Sequence, residues 1–144
     1  FDWGAAVNGY AADLTRTFFV ETVSDAHRDI YQTVLDANRL GIAMAAPGLT
    51  YDALDTAVQN LLRDRGYADM IRHKTGHGLG LDIHEAPQVM VGNRETMTPG
   101  IVFTVEPGLY RPDDVGVRIE DDVVVTETGA RSLSVMPRDL RIIG

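Results

Sequence analysis

The chain has 144 residues, with 21 acidic residues against 13 Lys and Arg and a formal net charge of −8. This balance argues against a nucleic-acid partner, which needs clustered Lys and Arg, and no apolar run reaches the roughly 18–20 residues of a membrane span. The chain has no cysteine, so disulfides, thiol catalysis and Cys-zinc sites are excluded. Any metal ion must therefore be held by His and carboxylates.

The first segment of the chain predicts a β-hairpin. Asn8-Gly9 lies between two extended stretches, and a two-residue type I′ turn needs positive φ at both of its positions. In that register Gly4 lies opposite Asp13. Because side chains alternate across a sheet, Asp2 and Asp13 share one face as diagonal neighbours, with Cβ atoms within about 7–8 Å.

Two helices are predicted next, over residues 24–46 and 51–65. Ser24 and Thr50 are suitable N-caps, and a Pro-Gly pair ends the first helix. Both segments carry apolar residues at helical spacing. We interpret both helices as structural covers for a sheet and expect no chemistry on them.

The rest of the chain predicts strands and loops. Ile101–Tyr110 and Val115–Thr126 alternate apolar and polar residues, as half-buried strands do. Ser132–Gly144 ends in a short apolar strand or tail. A hairpin, two helices and several further strands indicate an α+β fold with an antiparallel sheet covered by helices.

Several polar residues lie where burial is expected. Glu106 and Glu120 each lie in or beside a segment rich in Val, Ile and Phe, and His77 lies among glycines. Burying a lone carboxylate costs several kcal/mol unless it is neutralised, paired or metal-bound. Ordinary structural interpretations exist for single residues: Asp2 as a strand-end residue, or Glu120 in an ion pair with Arg118.

Together these acids are harder to explain as ion pairs, because too few Lys and Arg lie nearby to pair four carboxylates. Two divalent cations would neutralise them. Four carboxylates and one imidazole suit manganese, cobalt, zinc or iron, whereas calcium and magnesium less readily accept a His ligand.

Four stretches carry a resemblance to a known family: DWGAAVNGYAADLTRTF, GHGLGLDIHEAP, VFTVEPGLY and VRIEDDVVVT. In this order they resemble the catalytic domain of the pita-bread metallopeptidases, which include methionine aminopeptidase, aminopeptidase P and prolidase. The resemblance implies the C-terminal portion of the pita-bread (creatinase/aminopeptidase) fold.

The resemblance also implies a dinuclear metal site with two divalent transition-metal ions, manganese first and cobalt, zinc or iron as alternatives. Asp13 and Glu120 would bridge the ions, and Asp2 would chelate one of them. His77 would be the single imidazole, on the other ion. The complete implied ligand set is Asp2, Asp13, His77, Glu106 and Glu120.

His73, four residues before His77, and Arg118, two residues before Glu120, resemble the Xaa-Pro branch of the family. This resemblance implies hydrolysis of the peptide bond preceding proline through a metal-bridging hydroxide. Glu106, His84 and His73 would be catalytic, and His73, His84 and Arg118 would bind substrate or order the site. Either an Xaa-Pro dipeptidase or an Xaa-Pro aminopeptidase fits. The alternatives are a methionine aminopeptidase and a truncated, non-catalytic binding module on the same fold.

The family's catalytic domain is longer than this chain and normally begins before the first ligand Asp. We therefore expect residues 1–144 to be a partial catalytic domain, without the N-terminal half-repeat and N-terminal domain of the branch. The full-length protein is expected to form a homodimer and to act on a peptide or dipeptide with proline after the scissile bond. No signal peptide is visible, and a cytoplasmic location is expected.

Overall fold

The computed structural model describes all 144 residues, as two helices and eleven strands with a 3₁₀ turn at Ala68–Met70. The helices are α1 (Asp25–Met44) and α2 (Tyr51–Asp64). The strands are β1 (Asp2–Val7), β2 (Tyr10–Thr15), β3 (Phe18–Val20), β4 (Gly76–Gly78), β5 (Glu85–Val89), β6 (Val102–Val105), β7 (Gly108–Arg111), β8 (Val115–Arg118), β9 (Asp121–Val125), β10 (Ala130–Ser132) and β11 (Arg141–Ile143).

Both helices begin at the predicted caps. The Ser24 hydroxyl accepts a hydrogen bond from the His27 N–H at 3.2 Å, and the Thr50 hydroxyl accepts one from the Ala53 N–H at 3.1 Å. These bonds satisfy backbone donors that the first turn of a helix leaves free. The helices end slightly earlier than predicted, at Met44 and Asp64.

The N-terminal hairpin forms in the predicted register. β1 and β2 are antiparallel, with Gly4 opposite Asp13 and Asp2 opposite Thr15. Asn8 has φ 53° and Gly9 has φ 86°, as a type I′ turn requires. Asp2 and Asp13 therefore lie on the same face of the hairpin.

The largest sheet has five strands in the order β10-β9-β6-β4-β5, and every neighbouring pair is antiparallel. β7 and β8 form a separate antiparallel hairpin. The C-terminal tail is a strand, because β11 pairs in parallel with β3. The predicted α+β fold, with an antiparallel sheet covered by helices, is confirmed.

The two long segments predicted as strands are each broken in the middle. The first separates into β6 and β7 at Glu106-Pro107, where proline has no N–H to donate. The second separates into β8 and β9 at Ile119-Glu120, and the Glu120 N–H bonds instead to the Thr15 carbonyl at 3.1 Å. Each break releases a glutamate from the sheet.

The core lies between the two helices and the five-stranded sheet. α1 approaches the sheet closely at Gly41, where a Cβ atom would lie 2.8 Å from the Val105 side chain. Neither helix is long and apolar enough to cross a membrane. The core includes Ile30, Val34, Leu54, Val58, Leu62, Phe103, Val105, Val117, Ile119 and Val123.

Both helices cover the sheet, and each also carries a buried polar side chain that reaches the broken strands or the segment before β4. Asn38 of α1 donates to the carbonyls of Val105 and Ile119, at 2.9 and 3.3 Å. These carbonyls lie just before the two breaks. Asp55 of α2 accepts hydrogen bonds from Thr75.

Candidate metal centre

The five predicted ligands come from five places in the fold that meet at one end of the sheet. Asp2 lies on β1, Asp13 on β2 and His77 on β4. Glu106 follows β6 and Glu120 precedes β9, each at a strand break. The ligand set thus depends on a hairpin, a short central strand and two interruptions of the sheet.

The side chains of these five residues converge. The His77 Nε2 atom lies 3.2 Å from Glu106 Oε1 and 3.9 Å from Asp13 Oδ2. Three groups of residues have ligand atoms that all lie within 4.8 Å of one another: Asp2, Asp13 and Glu120; His77, Glu106 and Glu120; and Asp13, His77 and His84. Glu120 belongs to the first two groups, which is the position that a bridging carboxylate needs.

His77 is oriented so that one ring nitrogen faces the carboxylates. Its Nδ1 lies 3.0 Å from the Gly78 carbonyl, which can only accept, so Nδ1 carries the proton. Nε2 is then left with its lone pair directed at the cluster, as a metal ligand requires. The flanking residues must be glycine: a Cβ at Gly76 would lie 1.9 Å from the Thr104 carbonyl oxygen.

Two threonines outside the predicted set of site residues hold the glutamates in place. The Thr15 hydroxyl donates to Glu120 Oε2 at 2.5 Å, and the Thr104 hydroxyl donates to Glu106 Oε1 at 3.0 Å. The hydroxyl of Thr104 also accepts the His77 N–H at 3.0 Å. Alternation could have found both, because Thr15 is two residues after Asp13 and Thr104 two before Glu106.

The electrostatics of the cluster are those of crowded carboxylates without enough cations. Burial, reinforced by the charge of Glu106, raises the pKa of Glu120 to about 8. Burial also raises the pKa of Glu106, against the hydrogen bond from Thr104. Burial followed by the charge of Asp2 raises the pKa of Asp13. The acids therefore resist ionising together in the absence of an added cation.

Arg118 does not form the ion pair with Glu120 considered above, and that alternative is wrong. Its guanidinium pairs with the Asp2 carboxylate instead. The Arg118 Nε–H also donates to the Thr15 hydroxyl at 3.1 Å, and Nη1 donates to the Tyr110 hydroxyl at 2.8 Å. Arg118 thus orients one predicted ligand and leaves Glu120 without a cationic partner.

His73 is held in a defined tautomer beside the cluster. Its Nδ1 lies 2.8 Å from the Lys74 carbonyl and therefore carries the proton. Its Nε2 lies 2.8 Å from the Tyr110 hydroxyl, which donates to it while accepting from Arg118. Tyr110 is not among the residues predicted from the sequence, because its role depends on how β7 and β8 pair.

His84 lies against the cluster from an exposed loop. Its ring stacks edge-on against the ring of His77, with centroids 4.3 Å apart. Asp122 is a further carboxylate near the cluster that was not predicted: it accepts the Asp13 N–H at 3.1 Å, and burial raises its pKa to about 6. The roles predicted for all these residues in metal binding and catalysis stay predictions.

A family model described as Metallopeptidase family M24 matches residues 1–127. In the chain that follows, β10 pairs with β9 and β11 pairs with β3. The residues after 127 therefore pack onto the part of the chain that the family model matches.

Relatives and solved structures resemble almost the whole chain. The chain is 41% identical over 139 residues to an Xaa-Pro dipeptidase of Pyrococcus furiosus, and the match covers 96% of this chain and 40% of that protein. An Xaa-Pro dipeptidase structure from Bacillus anthracis matches with a TM-score of 0.96 and 41% identity, covering 99% of this chain and 40% of that one.

An X-Pro aminopeptidase structure from Thermotoga maritima matches nearly as well. Its TM-score is 0.95 at 36% identity, and the match covers 99% of this chain and 40% of that one. The chain therefore spans about 40% of the length of these relatives.

Proposed function

The chain belongs to metallopeptidase family M24 and has the pita-bread fold, and we propose that the protein containing it hydrolyses the peptide bond preceding proline. The observation that carries the proposal is the convergence of four carboxylates and one imidazole at one end of the sheet. The similar proteins named Xaa-Pro dipeptidase and X-Pro aminopeptidase support the substrate class.

Membership of a metallopeptidase family implies divalent metal ions, and the residues present fit them. No Lys or Arg pairs with Asp13, Glu106 or Glu120, so divalent cations are the natural counter-ions. We propose two ions, manganese first, held by Asp2, Asp13, His77, Glu106 and Glu120. Such ions supply polarisation of a carbonyl oxygen and a lowered pKa for water.

We assign proton transfer to Glu106. The leaving nitrogen of an Xaa-Pro bond belongs to a tertiary amide and has no proton, so it must receive one as the bond breaks. A carboxylate beside the reacting groups can take a proton from the attacking water and pass it to that nitrogen. The hydrogen bond from Thr104 fixes one oxygen of Glu106 during both transfers.

Substrate contacts are assigned to His73, His84 and Arg118. The exposed ring of His84, against that of His77, is available to hold the oxygen of the scissile carbonyl. Tyr110 and the Lys74 carbonyl fix the orientation of the His73 ring. Arg118 binds the Asp2 carboxylate, so its first role here is to orient a ligand.

The proposal includes both a dipeptidase and an aminopeptidase, because a structure of each name matches 99% of this chain. The two activities share the same bond cleavage and differ in whether a residue may follow the proline. We also propose a homodimer for the full-length protein, which sedimentation of that protein checks.

The test is metal content together with substrate choice, measured on the full-length protein purified without chelator. Two equivalents of a transition metal, with cleavage of Ala-Pro or Ala-Pro-Ala, are expected. Cleavage of Ala-Pro alone identifies a dipeptidase, and cleavage of the longer peptide identifies an aminopeptidase. Release of Met from Met-Ala without cleavage of either proline peptide, or a protein that binds no metal, contradicts the proposal.

A further inference from the structure

We propose that Asp55 of α2 is a positioning residue for the metal centre, acting through Thr75 on Glu106 and on the segment that carries His73 and His77. The inference rests on the proposed function for its catalytic consequence. Its structural part concerns a buried carboxylate that neither the predicted ligand set nor the assigned chemistry uses.

Asp55 is only 3% exposed and has no Lys or Arg partner. Its charge is stabilised by hydrogen-bond donors alone. Oδ1 accepts the Thr75 N–H at 2.9 Å, the Thr75 hydroxyl at 2.6 Å and the Gln59 amide at 3.3 Å. Oδ2 accepts the Val91 N–H at 2.8 Å.

Thr75 passes this restraint directly to the site. Its carbonyl accepts the Glu106 N–H at 2.8 Å, so one residue joins the Asp55 carboxylate to the backbone of Glu106. The Gln59 amide that contacts Asp55 also donates to the His73 carbonyl at 3.0 Å. α2 therefore fixes the backbone on both sides of Lys74.

The segment from Thr75 to His77 cannot absorb a displacement by local adjustment. It is pressed so closely against β6 that a Cβ atom at Gly76 would lie 1.9 Å from the Thr104 carbonyl oxygen. The His77 N–H is also bonded to the Thr104 hydroxyl, which in turn donates to Glu106. A shift at Thr75 is therefore transmitted to two predicted ligands.

The arrangement requires a carboxylate and not an amide at position 55. The N–H groups of Thr75 and Val91 are fixed backbone donors, and they face different oxygens of Asp55. In Asp55→Asn one of these N–H groups must face the amide NH₂, so a donor meets a donor, and this repulsion displaces the side chain that holds both Thr75 and Val91. The substitution changes almost no volume and removes one acceptor.

Asp52 provides a matched control on the same helix. Its Oδ1 accepts the Gly92 N–H at 2.6 Å, so it contacts the same loop as Asp55, but it makes no hydrogen bond to Thr75. Asp52→Asn therefore makes the same change of charge on the same helix and beside the same loop, at a residue that has no hydrogen bond to Thr75.

The experiment compares Asp55→Asn with Asp52→Asn in the full-length protein. We expect kcat to fall about 10–100-fold in Asp55→Asn, because the reacting groups are displaced. KM should change much less, because most of the residues assigned to substrate binding remain in place. Asp52→Asn is expected to keep the wild-type kcat. An Asp55→Asn protein whose kcat equals that of Asp52→Asn overturns the inference.

A second measurement does not depend on activity. In the metal-free protein, amide hydrogen exchange at Thr75 and Glu106 is expected to be at least about ten-fold faster in Asp55→Asn than in Asp52→Asn. If no proline peptide is cleaved by the wild type, the proposed function fails while exchange still decides the positioning role. Equal exchange at both amides overturns that role.

Thr75 variants keep the inference testable if Asp55→Asn does not fold. Thr75→Val loses the hydroxyl donor to Asp55, whereas Thr75→Ser keeps it. We expect a fall in kcat for the valine variant and near wild-type kcat for the serine variant. The same kcat in both variants contradicts a role for this contact.

Discussion

Glu120 and Asp121 are adjacent buried acids with opposite surroundings. The Glu120 carboxylate meets other carboxylates and one threonine hydroxyl, and burial raises its pKa to about 8. The Asp121 carboxylate meets Arg16 at 2.7 Å, Arg138 at 2.6 Å and the Asn38 amide at 3.1 Å. One acid lacks a cation, and its neighbour has two.

The difference separates an acid that we propose as a metal ligand from an acid that supports the fold. Successive residues at the start of a strand point to opposite sides, so adjacent carboxylates enter different environments. Arg16 links these environments, because Nη1 also donates to the carbonyls of Thr15 and Glu120, at 2.8 and 2.6 Å. Arg16, which forms an ion pair with Asp121, therefore also holds the backbone at Glu120, whose carboxylate has no cationic partner.

Glu120→Gln is expected to have the largest effect on activity. Removing the carboxylate that we propose to bridge the two ions should weaken metal binding and lower kcat roughly a thousand-fold or more. The metal-free protein should unfold at the same or a higher urea concentration near pH 7, because the folded state no longer has to keep a buried carboxyl protonated. Metal analysis, peptide cleavage and urea titration of the full-length protein check this; wild-type turnover contradicts it.

Asp121→Asn is expected to reverse that pattern, with a large loss of stability. Breaking a buried ion pair from one side leaves Arg16 without its countercharge and costs about 3–5 kcal/mol of unfolding free energy. Urea unfolding of the metal-free protein measures the loss. A variant as stable as the wild type would show that the paired acid does not support the fold.

The metal-free protein should lose stability as the pH rises from about 4.5 to about 8. The unfolded chain ionises Glu120 near its ordinary pKa of 4.5, whereas the folded chain does so only near 8. The folded state therefore binds more protons through this range, and stability falls as the pH rises. Urea midpoints across the range test this, and Glu120→Gln should flatten the dependence.

A pair of threonine substitutions is expected to give the smallest effects. Thr15→Val removes the donor to Glu120 and the acceptor for Arg118, and should weaken metal affinity about ten-fold. Thr33→Val is the control, since the Thr33 hydroxyl is buried without a partner, and it should leave metal affinity unchanged and not destabilise the fold. Metal titration and urea unfolding measure both; equal affinities contradict the expectation for Thr15.

Local patterns predicted much of the fold. Asn8-Gly9 predicted the hairpin register, and Ser24 and Thr50 predicted the helix starts, because turns and caps involve residues close together in the chain. The breaks at Glu106 and Glu120 were not predicted as such, because alternation continues across them. Asn38, which bonds the carbonyls before both breaks, comes from a distant helix.

The sequence by itself determined that acids and histidines stand in apolar strands, in an order typical of one family. The tertiary structure decided which of those acids lack a cation. Arg118 forms an ion pair with Asp2 rather than with Glu120, and Arg16 and Arg138 both form ion pairs with Asp121. The physical reason is that charge neutralisation depends on distant side chains: Arg16 and Asp121, like Arg118 and Asp2, are more than a hundred residues apart, and only the tertiary fold brings them into contact.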